Sequence, residues 1–193
     1  MQDCIYIIGG GPSLKGFDFS KLEGKDTFAV NSSLQDVPNP TYFITCCSGF
    51  ARRAVSGKFW GKKTKTILVV TERSIRYSKY FDEVISFNRC EGGIGFSKDD
   101  FVSGYNSGFC ALQYSVLAGY KKIYLLGIDL NITGGQHYHN RTSLIVKDLD
   151  NFYRAFVSGL EALKNTDIKV YYCSPTSRLN EHIEYIPFKK VGV

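Results

Sequence analysis

The chain has no apolar run approaching the ~20 residues that a membrane-spanning helix needs. Its first residues, Met1-Gln2-Asp3, put no basic stretch ahead of the short apolar segment Cys4–Ile8. Neither a secretory signal nor a membrane span is therefore expected. The six cysteines, Cys4, Cys46, Cys47, Cys90, Cys110 and Cys173, include no C-x-x-C spacing, which argues against a structural zinc site. Cys4, Cys110 and Cys173 lie in apolar segments, where a thiol behaves as a small hydrophobe. A reducing, cytosolic compartment is the expectation. Internal repeats, low-complexity tracts and linker-like stretches are also missing. The 193 residues are accordingly expected to form one domain, 1–193.

What is present suits a globular core. The chain is 44% hydrophobic and 22% charged, a balance that opposes disorder and needs no disulfide or metal at this length. There are 24 basic and 18 acidic residues, a formal charge of +6, and the excess is local. Between residues 50 and 80 stand Arg52, Arg53, Lys58, Lys62, Lys63, Lys65, Arg73, Arg76 and Lys79 against one acid, Glu72. Phe50, Phe59, Trp60, Tyr77 and Tyr80 are interleaved with them. Positive charge with stacking rings suits single-stranded nucleic acid or an anionic glycan. A solvated lysine-rich face explains the same charge run.

Short apolar runs alternate with helical stretches. Strands are expected at Cys4–Ile8, Thr27–Val30, Tyr42–Thr45, Thr66–Val70, Val84–Phe87, Lys122–Leu126 and Ile168–Cys173. Helices are expected at Ser107–Ala118, with Phe109, Leu112, Val116 and Leu117 facing a sheet, and at Asp148–Lys164, with Leu149, Phe152, Phe156 and Leu160 on one face. The fold class is α/β: a single Rossmann-like domain with a mostly parallel sheet and helices on both faces. Ligands bind such sheets at the carboxyl ends of the strands. The loops to search are then 9–14, 31–34, 46–49, 71–76, 127–141 and 174–178.

The first of these, Gly9-Gly10-Gly11-Pro12-Ser13-Leu14, lets backbone N–H groups approach an anion, and Ser13 adds a hydroxyl or caps the next helix. It is neither G-x-G-x-x-G nor a P-loop, and a tight turn is the plain alternative. Asn31-Ser32-Ser33 offers polar groups for a ribose or base edge, and also ordinary turn residues. Asn106-Ser107-Gly108 stands where a helix begins, with an N-cap and open amides that suit a phosphate. Gly127-Ile128-Asp129 ends the next strand, and there Asp129 can take a hydroxyl proton, hold a ribose or cap the loop. His137 and His139 stand two apart in the Gly-rich loop ending at Arg141. They suit proton transfer near neutral pH or contact with a phosphate. A metal would need a third ligand, for which Asp129 is the nearby candidate. Surface histidines are the plain alternative. His182 has no such polar company.

Three segments taken together resemble a known family. IIGGGPSLKGFDFSKLEGKDTFAVNSSL (7–34), YNSGFCALQYSVLAGYKKIYLLGIDL (105–130) and VYYCSPTSRL (170–179) are similar, in order, to three blocks of the bacterial sialyltransferases of glycosyltransferase family 42. The wider superfamily includes archaeal 6-hydroxymethylpterin diphosphokinases and short phage-encoded proteins. The resemblance implies a nucleotide-sugar donor site lined by Gly9, Gly10, Gly11, Ser13, Asn31, Asn106, Ser107, Gly108, Gly127, Asp129, Ser174 and Thr176. Two departures stand out. Gly10 occupies a place where the family usually has Asn, and the family's lid insertion is shortened to 131–147, with His137 and His139 in its place.

The expected activity is thus an inverting glycosyltransferase. His137 or His139 would act as base, the other His or Arg141 would stabilise the leaving phosphate, and Asp129 would complete the group. The acceptor would be a glycan or a modified base in phage DNA, met through segment 50–80. No tightly bound cofactor is expected. A phage-encoded chain would act in the host cytoplasm, and the family's frequent tetramers make a homo-oligomer a further expectation. Two alternatives stay open. One is a diphosphokinase that transfers pyrophosphate from ATP, with Mg²⁺ held by Asp129, His137 and His139. The other is a non-catalytic nucleotide- or nucleic-acid-binding protein.

Overall fold

A computed structural model of the chain describes residues 3–46, 63–71, 75–87, 95–99, 101, 106–133, 135, 137–139 and 148–191. Seven strands form one sheet: β1 (Cys4–Ile8), β2 (Thr27–Val30), β3 (Tyr42–Ile44), β4 (Lys63–Thr71), β5 (Phe81–Phe87), β6 (Lys122–Leu126) and β7 (Lys169–Tyr172). Their order is β5-β4-β3-β2-β1-β6-β7, and every pairing is parallel. A parallel sheet must be covered on both faces, which is why β1, CIYII, is apolar without interruption. The period of two still sorts it. Ile5 and Ile7 bury with Phe28, Ile44, Ile123 and Leu125 on one face. Tyr6 and Ile8 bury with Ala29, Phe43 and Leu126 on the other.

Among the described residues the first face is covered by two α-helices, α1 (Ser107–Leu117) and α2 (Leu149–Leu163). Every residue of α1 from Ser107 to Ser115 is buried, so this helix lies along the centre of the sheet. In α2 the buried residues are Phe156, Gly159, Leu160 and Leu163, whereas Leu149 and Phe152 are half-buried; the apolar stripe is the one expected from sequence, deepest in the second half of the helix. Among the described residues the second face is covered by 3-10 helices, which supply Leu14, Leu22, Leu34 and Phe188. The connection from β1 to β2 therefore carries no α-helix. Gly16 and Gly24, both at positive φ, punctuate it instead. β4 and β5 are longer than their apolar cores suggested, because parallel pairing carries polar residues such as Lys63 and Asp82 into the strands.

Chain connectivity places the site. From β1 the chain turns toward β2 on one side, while β6 comes to pair on the other. The order thus reverses at β1 and β6, the crevice where open α/β sheets receive ligands. The loops leaving those strands are Gly9–Ser13 and Gly127–Asp129.

Candidate functional site

The two loops are laced together. Gly9 N–H donates to the Leu126 carbonyl at 2.8 Å, and Gly11 N–H to that of Gly127 at 2.8 Å. Asp129, 2% exposed, closes the lacing: its carboxylate accepts from Ser13 N–H at 2.8 Å and from Ser13 Oγ–H at 2.7 Å. Ser13 Oγ lies 2.8 Å from the buried Ser174 Oγ, which accepts from Gly127 N–H at 3.1 Å. Since the carboxylate takes the Ser13 proton, the Ser174 hydroxyl is the donor between the two serines. A buried carboxylate needs such partners. Asp129 positions the glycine loop, and its side chain is engaged on that task.

The histidine loop folds back on the same glycines. The Gly10 carbonyl accepts from Tyr138 N–H at 3.1 Å and lies 3.0 Å from His137 Nδ1. A carbonyl only accepts, so Nδ1 carries the proton and the basic lone pair of His137 is on Nε2. Burial lowers the His137 pKa, the Gly10 bond opposing it more weakly. His139 stacks on His137 with ring centroids 5.1 Å apart. Between them, Tyr138 points the other way and donates its hydroxyl to Asp36 at 2.6 Å, pinning the loop to the turn that follows β2.

Gly10 explains itself here. A Cβ at this position would stand 2.9 Å from His137 Nδ1 and 3.7 Å from His139 Nε2. The imidazole of His137 fills the space that a side chain at position 10 would need. Gly10→Ala is expected to leave the fold intact, because the atom met is the end of a side chain, and to swing His137 off the carbonyl. An NMR titration of the imidazoles checks this: the displaced ring loses the Gly10 bond but also the burial that is the larger effect, so His137 in the variant should titrate nearer 6.5, the ordinary value. An unchanged curve would contradict the geometry.

A second polar group lies at the start of α1. Asn106 caps the helix, its Oδ1 accepting from Gly108 N–H at 3.0 Å and Phe109 N–H at 3.2 Å. Its Nδ2 is buried and has no partner among the described residues. Ser107 Oγ accepts from Cys46 N–H at 2.8 Å and lies 3.3 Å from Oδ1 of Asn31, which holds a left-handed φ of 54°. Ile128 joins the two groups: its Cδ1 would stand 2.6 Å from a Cβ on Gly9 and 3.1 Å from one on Gly108. Thr176 is at the rim, exposed, with its carbonyl taken by Asn131 Nδ2.

The structure thus brings Gly9, Gly10, Gly11, Ser13, Gly127, Asp129, His137, His139 and Ser174 into one cluster, with Asn31, Asn106, Ser107 and Gly108 beside it. Arg141 lies outside the described residues, as do Arg52, Arg53, Lys58, Lys62, Arg73, Phe50, Phe59 and Trp60 of the basic segment. His182 sits apart, its Nε2 2.8 Å from the Tyr153 hydroxyl. Asp129, expected as the third member of a metal set with His137 and His139, has both carboxylate oxygens bonded to Ser13. Among the described residues no three His, Cys, Asp or Glu side chains converge. Sequence reasoning missed Ser177, Asn131 and the Tyr138–Asp36 bond. Ser177 Oγ donates to the Ile128 carbonyl at 2.8 Å, and Asn131 Nδ2 to that of Asp129 at 3.1 Å. Both steady Leu130, whose φ of 55° is unusual for a residue with a Cβ. Nothing in their spacing announces it, because both partners are carbonyls.

No protein-family model and no curated protein matches the chain. Solved structures do. The chain is similar to the sialyltransferase CstII from Campylobacter jejuni in complex with the substrate analogue CMP-3FNeuAc, at a TM-score of 0.59 and 21% identity over 96% of this chain and 87% of that one. CstII in complex with a trisaccharide acceptor and CMP matches at 0.58 and 21%, over 95% and 86%. The monofunctional α-2,3-sialyltransferase Cst-I from the same organism matches at 0.52 and 17%, over 95% and 80%. At such identities the likeness is one of fold. Among the described residues no helix is long and apolar enough to cross a membrane.

Proposed function

We propose that this chain is a cytosolic glycosyltransferase that takes a nucleotide-activated sugar at the carboxyl ends of β1, β2 and β6 and transfers it with inversion. One observation carries the reading: a desolvated histidine beside a glycine loop at the sheet's reversal point, with its proton held on Nδ1 by a backbone carbonyl. The acceptor hydroxyl attacks the anomeric carbon while the bond from that carbon to the phosphate oxygen breaks. His137 Nε2 takes the hydroxyl proton, and the nucleotide departs with the bonding pair. The amides of Gly108 and Phe109 are taken by the Asn106 cap, so the groups at the start of α1 suited to the nucleotide are the buried Nδ2 of Asn106, without a partner among the described residues, and the Ser107 hydroxyl. His139 and Arg141 are the candidates to meet the departing phosphate. Asp129 and Ser13 hold the glycine loop in register.

The fold neighbours were solved with CMP or a CMP-sugar analogue, so CMP-sugars come first among donors. A glycan or DNA base would be the acceptor, and the basic segment 50–80 is the candidate to bind it. The test is a thermal-shift panel of CMP-, UDP-, GDP- and ADP-sugars and ATP, with and without Mg²⁺. A rise in melting temperature with one nucleotide-sugar class, independent of Mg²⁺, is the expected result. A shift by ATP that requires Mg²⁺ supports pyrophosphoryl transfer in its place, and no shift at all sinks the donor site.

A further inference from the structure

We propose that Cys46 and Cys110 form an oxidation site, which a peroxide converts into a reversible intramolecular disulfide beside the candidate donor site. Their Sγ atoms are 3.6 Å apart although 64 residues separate them in sequence. A disulfide needs an S–S distance of about 2.05 Å, so the sulfurs must approach by about 1.5 Å, within reach of side-chain rotation and a small backbone adjustment. Both are thiols in the structure. They differ in access. Cys110, in the first turns of α1, is 0% exposed, while Cys46, just past β3, is half-buried.

That difference orders the chemistry. The Cys46 thiolate attacks one peroxide oxygen; the S–O bond forms, the O–O bond breaks, and the departing oxygen leaves as water after protonation. The Cys110 thiolate then attacks Cys46 Sγ; the S–S bond forms and the sulfenic oxygen leaves as a second water. The peroxide is reduced and two thiols are oxidised. A thiol reductant reverses the step, so the bridge is transient in a reducing compartment.

The site is joined to the donor-site polar group. Cys46 N–H donates to Ser107 Oγ at 2.8 Å, Ser107 Oγ lies 3.3 Å from Asn31 Oδ1, and Cys110 is one turn along the same helix as Ser107. Drawing the sulfurs together moves the end of β3 against the start of α1 and disturbs the Ser107–Asn31 contact. This last consequence rests on the proposed function. The crosslink itself does not.

The experiment treats the folded chain with a modest excess of hydrogen peroxide, followed by intact-mass measurement, thiol counting and peptide mapping. The expected result is loss of two hydrogens and two thiols per chain, a peptide joining Cys46 to Cys110, and full recovery with dithiothreitol. Cys110→Ser should instead leave a sulfenic acid at Cys46 that a dimedone probe labels, and Cys46→Ser should leave Cys110 unlabelled. A joined peptide found only in urea, or a Cys46–Cys47 pair in its place, overturns the proposal. The oxidised chain should also lose the thermal shift given by a nucleotide sugar. If the bridge forms but the reduced chain shifts with no nucleotide, the oxidation site stands and the transferase reading fails. If the reduced chain shifts and no bridge forms, the reverse holds.

Discussion

Replacing His137 with Ala is expected to lower the transfer rate by about 100-fold or more, the usual loss on removing a general base. The thermal shift by the nucleotide sugar should be kept, because the residue acts on the acceptor proton and not on the donor. A pH profile sharpens the expectation. The base works when neutral, and burial holds the His137 pKa below its ordinary 6.5. The rate with wild-type protein should therefore be on its plateau at neutral pH and fall only at pH values below 6.5. The same shift affects stability. As pH falls below the ordinary imidazole value, the unfolded chain binds a proton at His137 before the folded chain does. Its contribution to stability is lost over that interval, down to the folded pKa. A profile that breaks above 6.5, or a variant with full activity, would move the base role elsewhere.

Gly11→Ala is expected to have the largest effect on stability. Gly11 has φ −63° and ψ 152°, a conformation open to any residue, so the backbone itself raises no objection. The space does. An added Cβ would collide with Asp129 Oδ2 and fall 2.6 Å from its Cγ and 2.7 Å from the Gly127 carbonyl oxygen. The carboxylate is buried and bonded, and the carbonyl is main chain, so neither yields cheaply. Overpacking together with a loosened charged hydrogen bond costs about 3 kcal/mol, which for a domain of this size lowers Tm by about 10 °C. Urea titration and calorimetry read it directly. Gly10→Ala, one residue away, should leave Tm close to that of wild type, since the nearest atoms it meets belong to the His137 and His139 side chains and not to main chain. Equal melting of the two variants would refute the distinction.

Much of the architecture is legible in the sequence alone. Thr27–Val30 and Lys122–Leu126 are strands over the ranges their apolar patterns indicate, and Ser107 begins its helix behind an Asn cap. Uninterrupted apolar runs can be buried on both sides only in a covered parallel sheet, and the parallel pairing results. The coverage of the second face is less legible. Isolated residues such as Leu14, Leu22 and Leu34 bury there from 3-10 turns too short to show a helical period.

The site divides in the same way. Its membership is readable, because glycines, histidines and an acid after strands can be picked out by type. Their division of labour is not. The sequence offers Asp129 as a catalytic group or a cap with equal force; the tertiary structure sets it under Ser13, where both its oxygens are engaged. Two adjacent glycines look alike in sequence, yet one faces a buried carboxylate and the other an imidazole. What the sequence by itself determined was the parallel α/β sheet and the loops at its carboxyl edge, since these depend on local period and residue type. Only the tertiary structure decided which nitrogen of His137 is basic and which residues meet Asp129. Those depend on contacts between segments more than 100 residues apart, 116 for Ser13 and Asp129 and 127 for Gly10 and His137, about which local pattern carries no information.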